Sequence, residues 1–378
     1  MGLPRSKYVR EGQEGVYHCF SRCVRRAFLC GFDDRTHRDF SHRKTWVVER
    51  LRHLASAFAI DVCTYAIMAN HYHIILRTRP DIVARWSDLE VATRWLTLFS
   101  RHRATSRTPA VPDQNAIRAL ADCPERIILL RHRLSSLSWF MAQINEFIAR
   151  AANKEDKVKG RFWESRFKCQ TLLDEAAIAC CMVYVDLNPI RATLAETPEE
   201  SEFTSIQERI RAWRKQTAPD SAAIQTLPSG PLYPYAPLTD NTGKIPGSSP
   251  IPLRDSAHSF NTWLCPIRTE AQRRGILEMS DAEYFDLVDK SGRMTRSDKP
   301  GAIDAALAPI LLRIRANPNS WLDTVSHFGS KFHLAAGLVS NFPLLNAGML
   351  GPDRWVSSFS SPAFPAFQLF SPAFLSNG

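Results

Sequence analysis

The segment from residue 60 to residue 76 constrains the fold more than any other part of this sequence. A largely apolar run from Ile60 to Met68 leads into the turn-like pair Ala69-Asn70, and a second strand-like run follows from His71 to Leu76. Two short runs separated by a turn predict a pair of antiparallel strands. The chain is therefore expected to be built around an antiparallel sheet.

Segments on both sides of this pair add further strands and several amphipathic helices. Alternation of apolar and polar residues predicts strands, and apolar residues three and four apart predict helices. The additional strands are predicted at Val16 to Val24 and Phe167 to Leu172, and the helices between Ser41 and Ala59, from Ser136 to Ala152, and from Asp174 to a point before Pro189. This pattern predicts an α+β fold.

The length of 378 residues favours more than one unit, because single cores stop growing at roughly 250 to 300 residues. Residues 1–215 form the first predicted domain, with a helical insertion at about 79–134 that includes a helix from Ile82 to Phe99. Residues 216–254 are rich in Pro, Ser, Gly and Thr and are predicted to be a linker. A helical C-terminal domain is expected at 255–345, followed by a low-complexity tail at 346–378.

Two features support the helical character of the C-terminal domain. Ser280 and Glu283 have the spacing of a capping box, which predicts a helix through Leu287. A second helix is predicted from Ile303 to Arg315.

The charge balance points to an anionic partner. The 48 Lys and Arg outnumber the 38 Asp and Glu, for a net charge of +10, which favours nucleic acid first and an anionic membrane surface second. No stretch approaches the roughly 20 apolar residues of a spanning helix, and the N-terminus is too charged for a signal peptide. A soluble, cytoplasmic protein without membrane contact is expected, and its nine scattered cysteines are predicted to be reduced thiols.

His71 and His73 are the first candidates for chemistry. Side chains two apart in a strand project from the same face, so the two imidazoles lie together. Two nitrogen ligands hold a divalent ion incompletely and leave positions for a third ligand, water and a phosphate oxygen. The alternative is that both histidines simply line a polar sheet face.

The helix before Pro189 brings a second pair of candidates. Tyr184 lies beside its apolar stripe, and Asn188 follows one turn later on the same face, where the amide oxygen is a candidate third ligand. Because Asn188 precedes a proline, it is also a candidate for a cap or turn. Asp186 and Glu164 are alternative ligands, and Tyr184 is alternatively a half-buried core tyrosine.

Basic residues interleaved with aromatic ones suit a single strand of nucleic acid, since cations follow the phosphates and rings stack on unpaired bases. Two groups have this character. The alternative for each is core packing flanked by solvated charges. The candidates are Arg22, Arg25 and Arg26 after the first strand, and Arg161, Phe162, Trp163, Arg166 and Lys168 in the segment from Lys154 to Lys168.

Three motifs in order closely resemble the REP-associated tyrosine transposases, which belong to the single-tyrosine HUH transposases. The motifs are Met68-Ala69-Asn70-His71-Tyr72-His73, then Gly160-Arg161-Phe162-Trp163-Glu164-Ser165-Arg166-Phe167, then Tyr184-Val185-Asp186-Leu187-Asn188-Pro189-Ile190-Arg191-Ala192. The resemblance covers about residues 8–210 without the insertion. It implies a ferredoxin-like domain, in which a central antiparallel sheet carries helices on one face.

The same resemblance implies a set of roles and partners. His71 and His73 match the metal-binding pair, Tyr184 the nucleophile and Asn188 the third-ligand position. It also implies Mg or Mn, a hairpin-bearing single-stranded DNA substrate and frequent dimerisation. The insertion and the C-terminal domain lie outside the minimal transposase, so their roles do not carry over.

The combination predicts a metal-dependent endonuclease and strand transferase. The Tyr184 hydroxyl attacks phosphorus, leaving a 5′ phosphotyrosine and a free 3′ hydroxyl. Three other readings stay open: a DNA-binding regulator that no longer cuts, a nuclease of the replication-initiator or relaxase type, and a small-molecule metalloenzyme. The sequence has no GxxxxGK loop for ATP, and the last reading gives no reason for the positive charge.

Overall fold

The computed structural model describes residues 5–24, 29–33, 37–99, 112–217, 263–271, 273–295, 318–331 and 335–337. The strands are β1 Gly15–Arg22, β2 Phe32–Asp33, β3 Arg38–Asp39, β4 Ile60–Ile67, β5 His71–Thr78, β6 Lys168–Leu172 and β7 Ala335–Ala336. The helices are α1 Arg43–Ala57, α2 Pro80–Val83, α3 Asp88–Phe99, α4 Gln114–Ala121, α5 Pro124–Ser135, α6 Leu137–Glu155, α7 Glu175–Asp186, α8 Asn188–Arg191, α9 Ser205–Thr217, α10 Asp281–Thr295 and α11 Pro318–Lys331.

A five-stranded sheet in the order β4-β5-β1-β6-β7 forms the centre of the molecule. The first four strands pair antiparallel, and β7 adds in parallel to β6. The predicted α+β class, the tight turn between β4 and β5, and the strands β1 and β6 are confirmed. Strand β7 was not predicted, since two alanines give no strand signal of their own.

One face of the sheet is covered by α1 and α6. Alternate residues of the strands, such as Tyr17 and Tyr72, point into a core that these helices share with α3 and α5. Arg43 is fully buried at the start of α1, where its guanidinium lies 2.6 Å from Glu155 and 2.5 Å from Asp156 at the end of α6. This ion-pair cluster aligns the two helices.

The other face is covered by α7, and the expectation of helices on one face alone is therefore wrong. Ile75 and Leu172 point to this side and share a second core with α7, α9, α10 and α11. Nearly every residue of α7 is buried, as is typical of a helix that is apolar all round. The reading of α7 as a one-sided stripe was too narrow, because C-terminal helices cover its outer side.

The remaining predictions have mixed outcomes. The region 79–134 is helical where it is described, but the predicted helix from Ile82 to Phe99 is two helices, α2 and α3. The capping box is confirmed, since the Ser280 and Glu283 backbone amides each donate to the other's side chain, at 2.8 and 3.2 Å. The predicted helix at 303–315 and the tail lie outside the described residues. All nine cysteines are free.

No helix among the described residues combines the length and apolarity needed to cross a membrane.

Candidate active site

The two candidate histidines lie at the beginning of β5, on the face of the sheet that α7 covers. In the register of β1 and β5, His71 lies opposite Arg22 and His73 lies opposite Phe20. Their ring centroids are 4.9 Å apart. His73 is buried, whereas His71 is partly exposed at the start of the strand. The predicted placement on one face is thus realised, with His71 nearer to solvent.

A chain of hydrogen bonds fixes the proton on His73. Gln170 Oε1 lies 2.6 Å from His18 Nδ1, and His18 Nε2 lies 2.8 Å from His73 Nδ1. An amide oxygen only accepts, so His18 Nδ1 carries a hydrogen and its Nε2 is left to accept from His73 Nδ1. The lone pair of His73 is therefore on Nε2, free to bind a metal.

His71 is held in the same way by its neighbour. Its Nδ1 lies 2.6 Å from Asn70 Oδ1, which places the hydrogen on Nδ1 and the lone pair on Nε2. Burial lowers the pKa of His71 and of His18 to about 4, and burial together with the neighbouring histidines holds the pKa of His73 well below its ordinary value. All three imidazoles are neutral at physiological pH, as metal ligation requires.

Tyr184 projects from the last turn of α7 onto this histidine group. Its ring centroid lies 5.7 Å from that of His73 and 6.1 Å from that of His18, both edge to face. Burial raises the pKa of the Tyr184 phenol, while the Arg191 guanidinium, 5.3 Å from the ring centroid, lowers it. The hydroxyl is therefore protonated at neutral pH, and its deprotonation needs help from its surroundings.

Helix α11 lies over the outer side of Tyr184. Phe328 packs against the tyrosine with ring centroids 5.8 Å apart and also touches His18. A Cβ added to Gly329 would lie 2.7 Å from the Tyr184 hydroxyl oxygen, so only glycine allows this approach. Arg191 donates to the carbonyl oxygens of Val325 and Ser326 of the same helix. The C-terminal part of the chain is thus part of the site.

Asn188 stands next to Tyr184 but at the start of a new helix. It is the first residue of α8, and Pro189 follows in the first turn, where the missing N–H is tolerated. The Asn188 side-chain amide donates to the Tyr184 carbonyl oxygen at 3.0 Å. This leaves the amide oxygen, Oδ1, as the donor atom for a metal.

Of the alternative ligands, Asp186 is excluded by its surroundings. It is fully buried, and its carboxylate accepts from the Ser205 hydroxyl at 2.7 Å and from the Tyr284 hydroxyl at 2.6 Å. Two residues from Tyr184, it projects from a different side of α7. Glu164 is exposed. Within the described part of the chain, no three His, Cys, Asp or Glu side chains form a metal-binding group.

The predicted DNA-binding residues divide into two classes. Arg22, Arg161, Arg166 and Lys168 are exposed, and the segment that carries the last three runs along the end of β1, where the Glu164 amide donates to the Arg22 carbonyl oxygen. A basic rim therefore borders the His71 end of the site. Arg25 and Arg26 lie outside the described residues.

The prediction that Phe162 and Trp163 stack on bases is wrong for this structure. They are 2% and 9% exposed, and the Trp163 indole donates to the Asn145 carbonyl oxygen at 2.9 Å while its ring packs edge-on against Tyr72. Both rings anchor the basic segment to α6 and the sheet. Their alternation with basic residues reflects burial of the aromatic members of the segment, Phe162, Trp163 and Phe167.

Sequence reasoning missed His18, Gln170 and Phe20. All three point to the same face as His73, because His18 and Phe20 are two apart in β1 and Gln170 lies opposite His18 in β6. The alternation of His18, Phe20 and Arg22 was a usable signal once the strand had been predicted.

The two histidines present donor atoms that suit a divalent ion. His71 and His73 each offer an Nε2 lone pair, their Nδ1 hydrogens are held by Asn70 and His18, and such outer partners are typical of metal-binding histidines. Asn188 Oδ1 is an oxygen donor of the kind that Mg and Mn accept. His18 is not a further ligand, because both of its nitrogens are used in hydrogen bonds.

Comparison with known proteins gives little beyond this geometry. No model of a known protein family and no curated protein matches the sequence. A solved structure of a REP-associated tyrosine transposase bound to a REP hairpin matches 61% of this chain and 98% of its own, with 10% sequence identity and a TM-score of 0.33. A match of this quality does not establish a shared fold or function.

Proposed function

We propose that this chain is a metal-dependent endonuclease that cuts and rejoins single-stranded DNA through a covalent bond to Tyr184. The observation that carries the proposal is the edge-to-face contact of Tyr184 and His73, with ring centroids 5.7 Å apart. These residues come from different elements, and they meet beside a second histidine whose lone pair is also free.

His71, His73 and Asn188 would hold the ion, Mg or Mn. The ion would supply a Lewis acid that polarises the scissile phosphate. The chain's own residues position the reactants: His18 and Asn70 fix the ligand tautomers, and α7 aims the phenol. Arg191 adds positive charge beside the phenol, which favours the phenolate.

The covalent step is a transfer at phosphorus. The Tyr184 oxygen bonds to phosphorus as the bond from phosphorus to the 3′ oxygen breaks. The phenol proton leaves to water, and the 3′ oxygen takes up a proton to become a hydroxyl. The phosphodiester linkage is conserved in the 5′ phosphotyrosine, so rejoining is the reverse reaction and needs no nucleotide.

The sheet order and the basic rim support this function. Strands β6, β1, β5 and β4 pair side by side with α1 and α6 on one face, which supports a ferredoxin-like core to which α7 and its covering helices are added. The exposed residues Arg22, Arg161, Arg166 and Lys168 border the site and suit a phosphate backbone. A hairpin-bearing single strand is the proposed substrate, and a homodimer the proposed assembly.

The experiment is an adduct assay. The protein is incubated with labelled single-stranded hairpin DNA and Mg or Mn, and a denaturant-resistant protein–DNA species is expected. Tyr184→Phe should abolish it, because the phenylalanine ring has no nucleophilic oxygen. Persistence of the adduct in that variant, or equal cleavage of duplex DNA, would refute the mechanism.

A second variant separates the metal from DNA binding. His71→Ala should remove cleavage while sparing most of the affinity for DNA, because the phosphate contacts come from Arg and Lys. Affinity measured in the presence of a chelator is the control. A large loss of affinity in His71→Ala would indicate a structural histidine.

A non-cleaving DNA-binding regulator is the second candidate, and the cover over Tyr184 is what favours it. The Tyr184 ring packs against Phe328 and its hydroxyl lies close to Gly329, so α11 covers one side of the residue that cleavage would need. A regulator of this kind would bind the hairpin DNA but would form no covalent protein–DNA adduct in the presence of either Mg or Mn.

A further inference from the structure

Phe20 is a large aromatic side chain that the structure leaves without a place in either hydrophobic core of the described residues. It is partly exposed, although its neighbours in β1 are mostly buried. It lies between His18 and Arg22 on the face of the candidate site, because residues two apart in a strand share a face. Its location therefore has to be explained by the site rather than by core packing.

The surroundings of Phe20 are aromatic on one side and cationic on the other. In the sheet, His73 lies directly opposite in β5 and Lys168 directly opposite in β6. The Phe20 ring centroid is 5.5 Å from that of His73, and the Lys168 ammonium is 5.6 Å from the Phe20 centroid. Arg22 is next on the same face and lies opposite His71. A row of histidine, phenylalanine and lysine therefore crosses three strands.

This row matches the chemistry of one unpaired nucleotide. An exposed ring offers a surface on which a base can stack, and cations beside it offer partners for the phosphates on both sides of that base. Directly opposite residues in a sheet are only about 4.5–5.5 Å apart, so a base on Phe20 belongs to a nucleotide at the phosphate that His73 would serve. A duplex does not fit this surface, because its bases are stacked on one another.

We propose that Phe20 is the stacking platform for one unpaired base beside the cut phosphate, with Lys168 and Arg22 holding the flanking phosphates of single-stranded DNA. The inference rests on the proposed function and names its substrate-positioning residue. Lys168 is exposed, so an incoming base takes the ring face and the ammonium moves to the adjoining phosphate. Phe20 thereby selects single strands over duplexes and fixes the position of the cut.

The test is a scan of single-stranded oligonucleotides, each with one abasic position, measured by fluorescence anisotropy in the presence of a chelator. With the unsubstituted protein, removal of the base at one oligonucleotide position should lower the affinity the most, by roughly 5- to 150-fold, since a stacked base contributes about 1–3 kcal/mol. Phe20→Leu should bind the intact oligonucleotide with a similar loss and should be insensitive to the abasic site at that position. Phe20→Trp should retain both the affinity and the sensitivity.

Phe147→Leu is the matched control, because Phe147 is 39% exposed on α6, on the opposite face of the sheet. It should bind every oligonucleotide as the natural sequence does. If Phe20→Leu lowers the affinity by the same factor for every abasic oligonucleotide, then Phe20 only supports His73 and the proposal is overturned. So would an RNA strand that binds at least as tightly with the same pattern, since the proposed ligand is DNA.

Failure of this inference can be told apart from failure of the proposed function. Binding is measured without metal or cleavage, whereas the function depends on the Tyr184 adduct. An adduct without a sensitive abasic position refutes the role of Phe20 alone. A sensitive position without an adduct leaves Phe20 as a binding residue of a protein that does not cut.

Discussion

At the scale of single residues, hydrogen bonds decide which atoms of the site are reactive. His73 is a potential ligand through Nε2 because His18 accepts the hydrogen from its Nδ1 at 2.8 Å, and His18 does so because Gln170 accepts from its other nitrogen at 2.6 Å. Inside a buried sheet face these two hydrogen bonds restrain the orientation of both imidazole rings. His18 thus positions His73 and has no nitrogen left for a metal.

Asp186 allows a prediction on pH at the same scale. Burial raises the pKa of its carboxyl from 3.8 to about 6, despite its hydrogen bonds to Tyr284 and Ser205. The folded protein thus holds this proton more tightly than the unfolded chain. The stabilisation that the folded protein gains from the protonated Asp186 carboxyl is present below pH 4 and is lost as pH rises through about 6.

The measurement compares denaturant unfolding of the natural protein and of Asp186→Asn between pH 4 and pH 7. The amide cannot ionise, so the free energy of unfolding of the natural protein should fall relative to the variant by about 2–3 kcal/mol over this range. If the difference in free energy of unfolding between the two proteins stays constant with pH, the pKa of the Asp186 carboxyl is not raised.

At the scale of elements, the packing of α11 on α7 is the feature that most affects the site. His327 has non-helical backbone angles within α11, and the two residues after this kink, Phe328 and Gly329, are the ones that touch Tyr184. The end of α7 and the kink of α11 thus meet at Tyr184.

Gly329→Ala tests this contact. The added Cβ would lie 2.7 Å from the Tyr184 hydroxyl oxygen, and overpacking of this kind costs about 1–3 kcal/mol, against a gain of about 1 kcal/mol in helix propensity. We expect a net loss of stability in the natural background. In Tyr184→Phe, where the oxygen is absent, the same change should be neutral or stabilising.

The two backgrounds form a double-mutant cycle measured by chemical denaturation, and a coupling above about 0.5 kcal/mol is expected for residues in contact. Additive effects would show that α11 does not pack on the tyrosine.

At the scale of the whole molecule, the described C-terminal helices share a core with the first predicted domain. Trp321 of α11 is fully buried, and its indole donates to the Ser291 hydroxyl of α10 at 3.0 Å. Both helices pack in the core that contains α7. The division into domains stays a prediction, but these helices and α7 bury their apolar side chains in one shared core.

A cut in the predicted linker tests that interface. With a specific protease site introduced within residues 218–254, the two fragments should stay together in size-exclusion chromatography after cleavage, because separation would expose the shared core. Trp321→Ala should weaken their association, since removal of a buried tryptophan costs about 3–5 kcal/mol. Free separation of the fragments of the natural sequence would mean that the C-terminal helices form a body of their own.

The sequence by itself determined the elements whose signal is local. The apolar runs and the turn at Ala69-Asn70 specified β4 and β5, the period of two placed His71 and His73 on one face, and the capping box started α10. Each depends on residues a few positions apart, so no distant part of the chain has to be known. The placement of Asn188 one turn after Tyr184 is of the same kind.

Only the tertiary structure decided what lies against these elements. Burial of Phe162 and Trp163, the withdrawal of Asp186 to Ser205 and Tyr284, and the cover of α11 over Tyr184 all depend on contacts between distant segments. An apolar helix such as α7 shows in its sequence that it will be buried, but not by which partners. For the same reason His71 and His73 could be predicted as a pair from the sequence. The roles of His18 and Phe20 became clear only from the pairing of β1 with β5, which carries the two histidines.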